Sequence, residues 1–156
     1  MTYYTREGLD HLRNELTLLK IEGRANVAND LAEARDKGDL SENAEYDAAK
    51  DAQGILEAKI AALETVLSDA VVLEEEDIDI SRVSILSKAR VFNQQTSQKT
   101  VFMLVSQEEA DLKLGRISIN SPMGKGLLGK KVGEVATVTT PAGQIELEIL
   151  EIGLNL

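Results

Sequence analysis

The stretch Gly38-Asp39-Leu40-Ser41-Glu42-Asn43-Ala44-Glu45-Tyr46 decides how the first half of this chain folds. It separates two long segments whose apolar residues recur at helical spacing. Gly38 stands where a left-handed residue ends a helix, with Arg35 and Lys37 in the last turn before it. Upstream, Thr5 is a good N-cap for a helix opening at Arg6-Glu7. Leu9, Leu12, Leu16 and Leu19 then follow at heptad spacing, and Val27, Leu31 and Ala34 extend the stripe. Gly23 lowers the helix propensity there and marks a place for a bend. Downstream, Tyr46, Ala49, Gln53, Leu56, Ile60, Leu63 and Leu67 share one helical face. Two helical patterns of similar length about a short turn predict an antiparallel two-helix hairpin of coiled-coil type. Arms of about 25 residues, rising about 1.5 Å each, reach on the order of 40 Å. Ala32, Ala34, Ala44, Ala48 and Ala49 let the arms approach closely, so the tip is expected to be slim.

Near residue 70 the pattern changes. Val71-Val72-Leu73 leads into the acidic run Glu74-Glu75-Glu76-Asp77, read as a solvated linker edge. Beyond it the hydrophobic period falls to two, with candidate strands at 83–92, 100–105, 134–139 and 144–152. Polar turns separate them at 93–97 and 141–143. Ser121 and Pro122 read as N-cap and first residue of a short helix ending near Gly129. The expected class is α+β, with a helical hairpin at 1–74 and a small, mostly antiparallel sheet domain with one short helix at 75–156.

Composition narrows the function. With 156 residues, 43% of them hydrophobic, the chain can bury a core; at 3% aromatic and without Trp, that core is aliphatic. It is poor material for an aromatic ligand pocket. There is no Cys, and His11 is the single histidine. Disulfides, thiolate chemistry and histidine-based metal sites are thereby excluded or disfavoured. The N-terminus has no signal-peptide core, and no apolar run approaches the roughly 18 residues of a membrane span. A cytoplasmic protein without membrane contact is the expectation. The net charge of −10 argues against independent binding of duplex DNA, which neutralisation of phosphates drives.

The chemistry concentrates at the turn. Asp39 and Glu42 are spaced i, i+3, which suits two compatible readings. One is a capping box at the start of the second helix, where acids are favoured. The other is capture of Mg²⁺, which takes hard oxygen ligands and retains waters or substrate phosphates. Two carboxylates on a tip cannot hold the ion tightly alone. They can complete a site whose other ligands a partner supplies, as in two-metal phosphoryl chemistry. Glu45 and Asp47 read as solvated helix charges. Arg24, Arg35, Lys37 and Lys50 form either a weak basic face for a single strand's phosphates or ordinary intrahelical pairs with Glu33, Asp36, Asp47 and Asp51.

The segment from Ala32 to Tyr46, Ala-Glu-Ala-Arg-Asp-Lys-Gly-Asp-Leu-Ser-Glu-Asn-Ala-Glu-Tyr, resembles the hairpin-tip signature of the bacterial Gre transcript-cleavage factors. Tyr4-Thr5-Arg6-Glu7-Gly8-Leu9 resembles that family's opening. Glu109-Ala110-Asp111, Ile117-Ser118-Ile119-Asn120-Ser121-Pro122 and Leu127-Leu128-Gly129-Lys130 resemble its C-terminal motifs. The resemblance covers essentially the whole chain. It implies a coiled-coil hairpin followed by an FKBP-like domain that docks on bacterial RNA polymerase, with Ser121 and Pro122 in the docking loop. The hairpin then reaches through the secondary channel toward the nascent RNA 3′ end. Asp39 and Glu42 would help the polymerase hold a second Mg²⁺, with Leu40, Ser41, Asn43 and Tyr46 supporting the tip. Arg35 and Lys50 would fall in a basic patch near the RNA. The chain would then be no enzyme itself, but an activator of hydrolysis in the polymerase active site. Arg24-Ala25 departs from the family's usual Arg-Pro, and Leu104-Val105-Ser106 from a pattern that usually ends in Gly. The sparse basic residues fit the family's less basic branch. Two other functions stand beside this one. A non-cleaving channel regulator needs the hairpin's reach but not the acid pair. A prolyl isomerase needs an aromatic pocket that Phe92 and Phe102 alone do not supply.

Overall fold

A computed structural model describes residues 1–39 and 43–156. They form two compact units, one of Leu9–Ala70 and one of Met1–Gly8 with Val71–Leu156. The sequence division at 74/75 therefore differs in two respects: the first eight residues go with the sheet, and so do residues 71–74.

The first arm comprises α1 (Arg6–Leu18), a π-helical turn (Leu19–Gly23) and α2 (Arg24–Asp36); the second is α3 (Ala44–Ser68). The interior positions of the first arm are Leu9, Leu12, Leu16, Leu19, Gly23, Val27, Leu31 and Ala34, all buried or half-buried. From Leu19 to Leu31 they step by four residues three times. That exceeds the 3.6-residue period of an α-helix by about one residue in all. The π-turn absorbs this extra residue and keeps the stripe on one face. Gly23 is part of that turn rather than a break, and a Cβ there would stand 2.9 Å from Leu56 Cδ1. The second arm turns Tyr46, Ala49, Gln53, Leu56, Ile60, Leu63 and Leu67 inward, as its spacing predicts. Lys20 pairs with Glu64 at 3.3 Å, Arg24 with Glu57 at 2.8 Å and Lys37 with Glu45 at 2.8 Å. Partner numbers fall as the first arm's rise, so the arms run antiparallel.

In the other unit, β1 (Thr2–Tyr4) pairs with β2 (Ala70–Val72). A five-stranded sheet is built from β3 (Lys88–Asn93), β4 (Gln98–Val105), β5 (Arg116–Ser118), β6 (Val135–Thr140) and β7 (Gly143–Gly153), in the order β5-β4-β3-β7-β6. All neighbours are antiparallel except β4 and β5, which run parallel from Met103↔Arg116 to Val105↔Ser118. Alternate residues face a core of Ala89, Val91, Leu104, Ile117, Ala136, Val138, Leu147 and Ile149, closed by Val83 and Leu127. Burying each large aliphatic side chain contributes about 1.5–3 kcal/mol. Leu127 comes from α4 (Pro122–Leu127). The strand expected at 83–92 begins only at Lys88. Leu86 adopts a left-handed φ of 68°, and the Ser87 hydroxyl bonds back to Ser84, so residues 83–87 are a loop.

The first eight residues join the sheet unit through two adjacent carboxylates. Thr5 caps α1 by accepting the Gly8 N–H at 2.9 Å. Its hydroxyl and backbone N–H both donate to Glu109, at 2.9 and 3.3 Å. A Cβ on Gly8 would fall 1.9 Å from Glu109 Oε1, so only glycine admits the carboxylate. Tyr4, 1% exposed, donates its hydroxyl to Glu108 at 2.9 Å. Burial first, then the Glu108 bond and charge, push the Tyr4 phenol from 10.0 up to about 12.

This shift has a pH consequence. Between pH 10 and 12 the unfolded chain releases the Tyr4 proton while the folded chain retains it. The associated stability is complete below pH 10 and lost as pH rises through about 12. Tyr4→Phe is expected to lower the sheet unit's stability by about 1–2 kcal/mol at pH 8 and to flatten its alkaline decline. Urea melts at pH 8, 10 and 11.5 check both effects; an unchanged alkaline slope would contradict this account of Tyr4.

Candidate functional site

The end of the hairpin is built by three ties across its neck. The side chain of Asn43 makes the first: its Oδ1 accepts the Tyr46 N–H at 3.1 Å, and its Nδ2 donates to the Ala34 carbonyl at 2.5 Å. One amide thus satisfies an open donor of α3 and one of the last carbonyls of α2. In the second, the Arg35 guanidinium lies 5.9 Å from the centre of the Tyr46 ring, within cation–π range. In the third, Lys37 Nζ donates to Glu45 Oε2 at 2.8 Å, and that bond raises the Lys37 ammonium above its ordinary value.

Asn43, not Asp39, is therefore the N-cap of α3. The capping box expected for Asp39 and Glu42 is not what starts this helix, whose N-cap lies four residues beyond Asp39. Asn competes well with Asp at a cap, and only Asn also carries the donor that Ala34 receives. Leu40, Ser41 and Glu42 lie outside the described residues, so the acid pair is represented by Asp39. Gly38, with φ 131°, makes the chain reversal after α2 in a conformation that glycine alone adopts without strain.

The four basic residues do not form one cluster of unpaired charges. Arg24 makes a two-point contact with Glu57, at 2.8 and 3.1 Å, far from the neck. That bond raises the Arg24 guanidinium and holds the Glu57 carboxyl below its usual range. Lys50 donates to Gln53 at 3.2 Å. Arg35 and Lys37 stand together at the neck. The intrahelical partners expected for Arg24 and Lys37 are replaced by Glu57 and Glu45, because facing arms bring these closer. Exposed pairs of this kind add little stability. Their effect here is to tie the arms and orient the cations.

In the sheet unit, Ser121 caps α4: its hydroxyl accepts the Gly124 N–H at 3.0 Å and donates to the Ser118 carbonyl at 2.6 Å. Pro122 follows as the first helical residue and is exposed, as is Asn120. The loop is tight because Gly124 has no side chain. A Cβ there would lie 2.0 Å from the Ser118 carbonyl oxygen. The cleft between the sheet and Met123 encloses about 80 Å³ and has Phe102 as its aromatic residue. Small-molecule sites usually enclose 300–1,000 Å³. The cleft gives no support to a prolyl isomerase.

Three features escaped sequence reasoning: the double role of Asn43, the Arg24–Glu57 pair, and the hold of Glu108 and Glu109 on Tyr4 and Thr5. The only sequence signal for the last was Gly8, a poor helix former in a first turn. No helix among the described residues is long and apolar enough to cross a membrane.

Both parts of the chain match known family models. The family model described as "Transcription elongation factor, N-terminal" matches residues 2–72, and "Transcription elongation factor, GreA/GreB, C-term" matches residues 78–153. The chain is 61% identical to transcription elongation factor GreA of Amoebophilus asiaticus, over 97% of both chains. It is 53% identical to GreA of Flavobacterium johnsoniae, over 97% of this chain and 96% of that one. Among solved structures, GreA factor homolog 1 (Gfh1) of Thermus thermophilus is 30% identical, covers 97% of each chain and has a TM-score of 0.45. Matched in both its halves, and at more than half identity to relatives of the same length, the chain belongs to the GreA/GreB family of transcription elongation factors.

Proposed function

We propose that this elongation factor binds bacterial RNA polymerase and stimulates the polymerase's own Mg²⁺-dependent cleavage of backtracked RNA. The sheet unit docks through the loop at Ser121 and Pro122. The hairpin passes through the secondary channel and brings its tip to the RNA 3′ end. The factor is not itself an enzyme, and it works in the cytoplasm, where the polymerase is.

The observation that supports this reading most is the cap of α3. With Asn43 in that role, Asp39 sits in the turn rather than at the helix start. Asp39 and Glu42 would offer hard carboxylate oxygens of the kind Mg²⁺ takes. Among the described residues no three His, Cys, Asp or Glu side chains gather to hold a metal. When bound, the ion would activate water and offset charge developing at the scissile phosphate. Arg35 and Lys50 would meet the phosphates of the displaced RNA, with Arg24 and Lys37 farther out and at the neck. Leu40, Ser41, Asn43 and Tyr46 would support the tip.

The test is a cleavage assay on stalled, backtracked elongation complexes labelled at the RNA 5′ end. Adding the factor with Mg²⁺ is expected to shorten the transcripts and restore their extension. Inhibition without shortening would instead favour a non-cleaving channel regulator.

A further inference from the structure

We propose that Asn43 is a positioning residue for cleavage, because its side-chain amide ties the end of α2 to the start of α3 and so fixes the base from which the acid-bearing segment extends. The inference rests on the functional reading above. The acids are borne by the segment between Ala34 and Asn43, and Asn43 closes that segment at its base with two hydrogen bonds of opposite sense. A carboxylate that shares a metal ion with a partner must arrive within about half an ångström of its productive place. Two helix ends free to part would seldom bring it there. The Arg35–Tyr46 contact and the Lys37–Glu45 pair brace the same neck. Both are more exposed to solvent and salt than the amide tie, which is half-buried. Asn is the side chain that serves both ends: Asp can accept from the Tyr46 N–H but has no donor, and the Ser hydroxyl, which can donate, ends one bond short of the amide nitrogen that reaches the Ala34 carbonyl.

Asn43→Ser separates the two bonds. The serine hydroxyl still caps α3, since Ser and Asn are comparable N-caps, but it ends one bond short of the amide nitrogen and so loses the tie to Ala34. The concentration of factor giving half-maximal cleavage is expected to stay within about twofold of wild type, because docking lies elsewhere. The maximal cleavage rate is expected to fall about tenfold, and the Mg²⁺ requirement to rise several-fold. A readout without polymerase accompanies these. Amide hydrogen exchange at 35–39 should accelerate in the isolated variant, while exchange within α3 and the far-UV circular dichroism stay unchanged. Asn43→Ala removes cap and tie together. Equal losses in the Ser and Ala variants support the tie; loss in the Ala variant alone assigns the effect to capping and overturns the proposal. A wild-type chain that stimulates no cleavage overturns the functional reading itself. An active wild type matched by Asn43→Ser overturns this inference alone.

Discussion

Asp39→Asn combined with Glu42→Gln is expected to abolish stimulated transcript cleavage, with a loss of about 100-fold or more. The substitutions keep size and hydrogen-bonding capacity but remove both anionic donors. Mg²⁺ binds neutral amides far more weakly than carboxylates. The cap of α3 is untouched, because Asn43 provides it, so the hairpin should melt within a few degrees of wild type. Docking should also persist, and the variant should compete with wild type for the polymerase. Cleavage assays and competition on the same complexes check the two halves of this expectation. Normal cleavage by the double variant would remove the metal reading and leave the acids as turn residues. Loss of competition would mean that the tip itself contributes to binding.

The second large effect is expected at Gly124. Gly124→Ala would place a methyl group 2.0 Å from the Ser118 oxygen, 2.9 Å from the Ser118 carbonyl carbon and 3.0 Å from Ile119 Cα. All three are backbone atoms, so no side chain can swing aside. Either α4 lifts from β5 or β5 loses its register with β4. Leu127, fully buried beneath the sheet, would be drawn out with α4. The cost is about 3 kcal/mol or more. A drop of about 10–20 °C in the sheet unit's melting temperature should follow. Because the same displacement moves Ser121 and Pro122, competition for polymerase should weaken as well. Calorimetry on wild type and variant tests the first expectation. A melting temperature within 2–3 °C of wild type would show that the loop yields more easily than its geometry indicates.

Several local features around the site were legible in the sequence. Thr5, Ser121 and Pro122 occupy the cap and first-turn positions that their residue types predict, because capping is settled by a few neighbouring atoms. The inward face of the second arm, and that of the first arm up to Leu19, follow from spacing alone. The cap of α3 was misread for a reason inherent in the motif. Asp39, Ser41 and Asn43 are all cap-forming residue types within five positions, and local chemistry does not choose among them. The choice fell to Asn43 because of a carbonyl on the opposite arm. The partners of Arg24 and Lys37 likewise come from across the hairpin: Lys37 has Glu33 four residues before it yet pairs with Glu45, and Arg24, with no acid three or four residues away in its own helix, pairs with Glu57.

The sequence by itself determined the hairpin, its turn, the aliphatic core and the alternating strands, because hydrophobic period and capping act over a few residues. Tertiary structure decided the rest. It placed the π-turn that returns Val27, Leu31 and Ala34 to the interior, the parallel strand β5, and the loop that delays β3. It also set the bonds joining Tyr4 and Thr5 to Glu108 and Glu109, 104 residues away along the chain. Pairings over such separations depend on which surfaces the completed fold presents to each other, and no local pattern encodes that. At the tip both levels meet: the sequence put the acids in the turn, and contact between the arms made Asn43 the residue that holds its base.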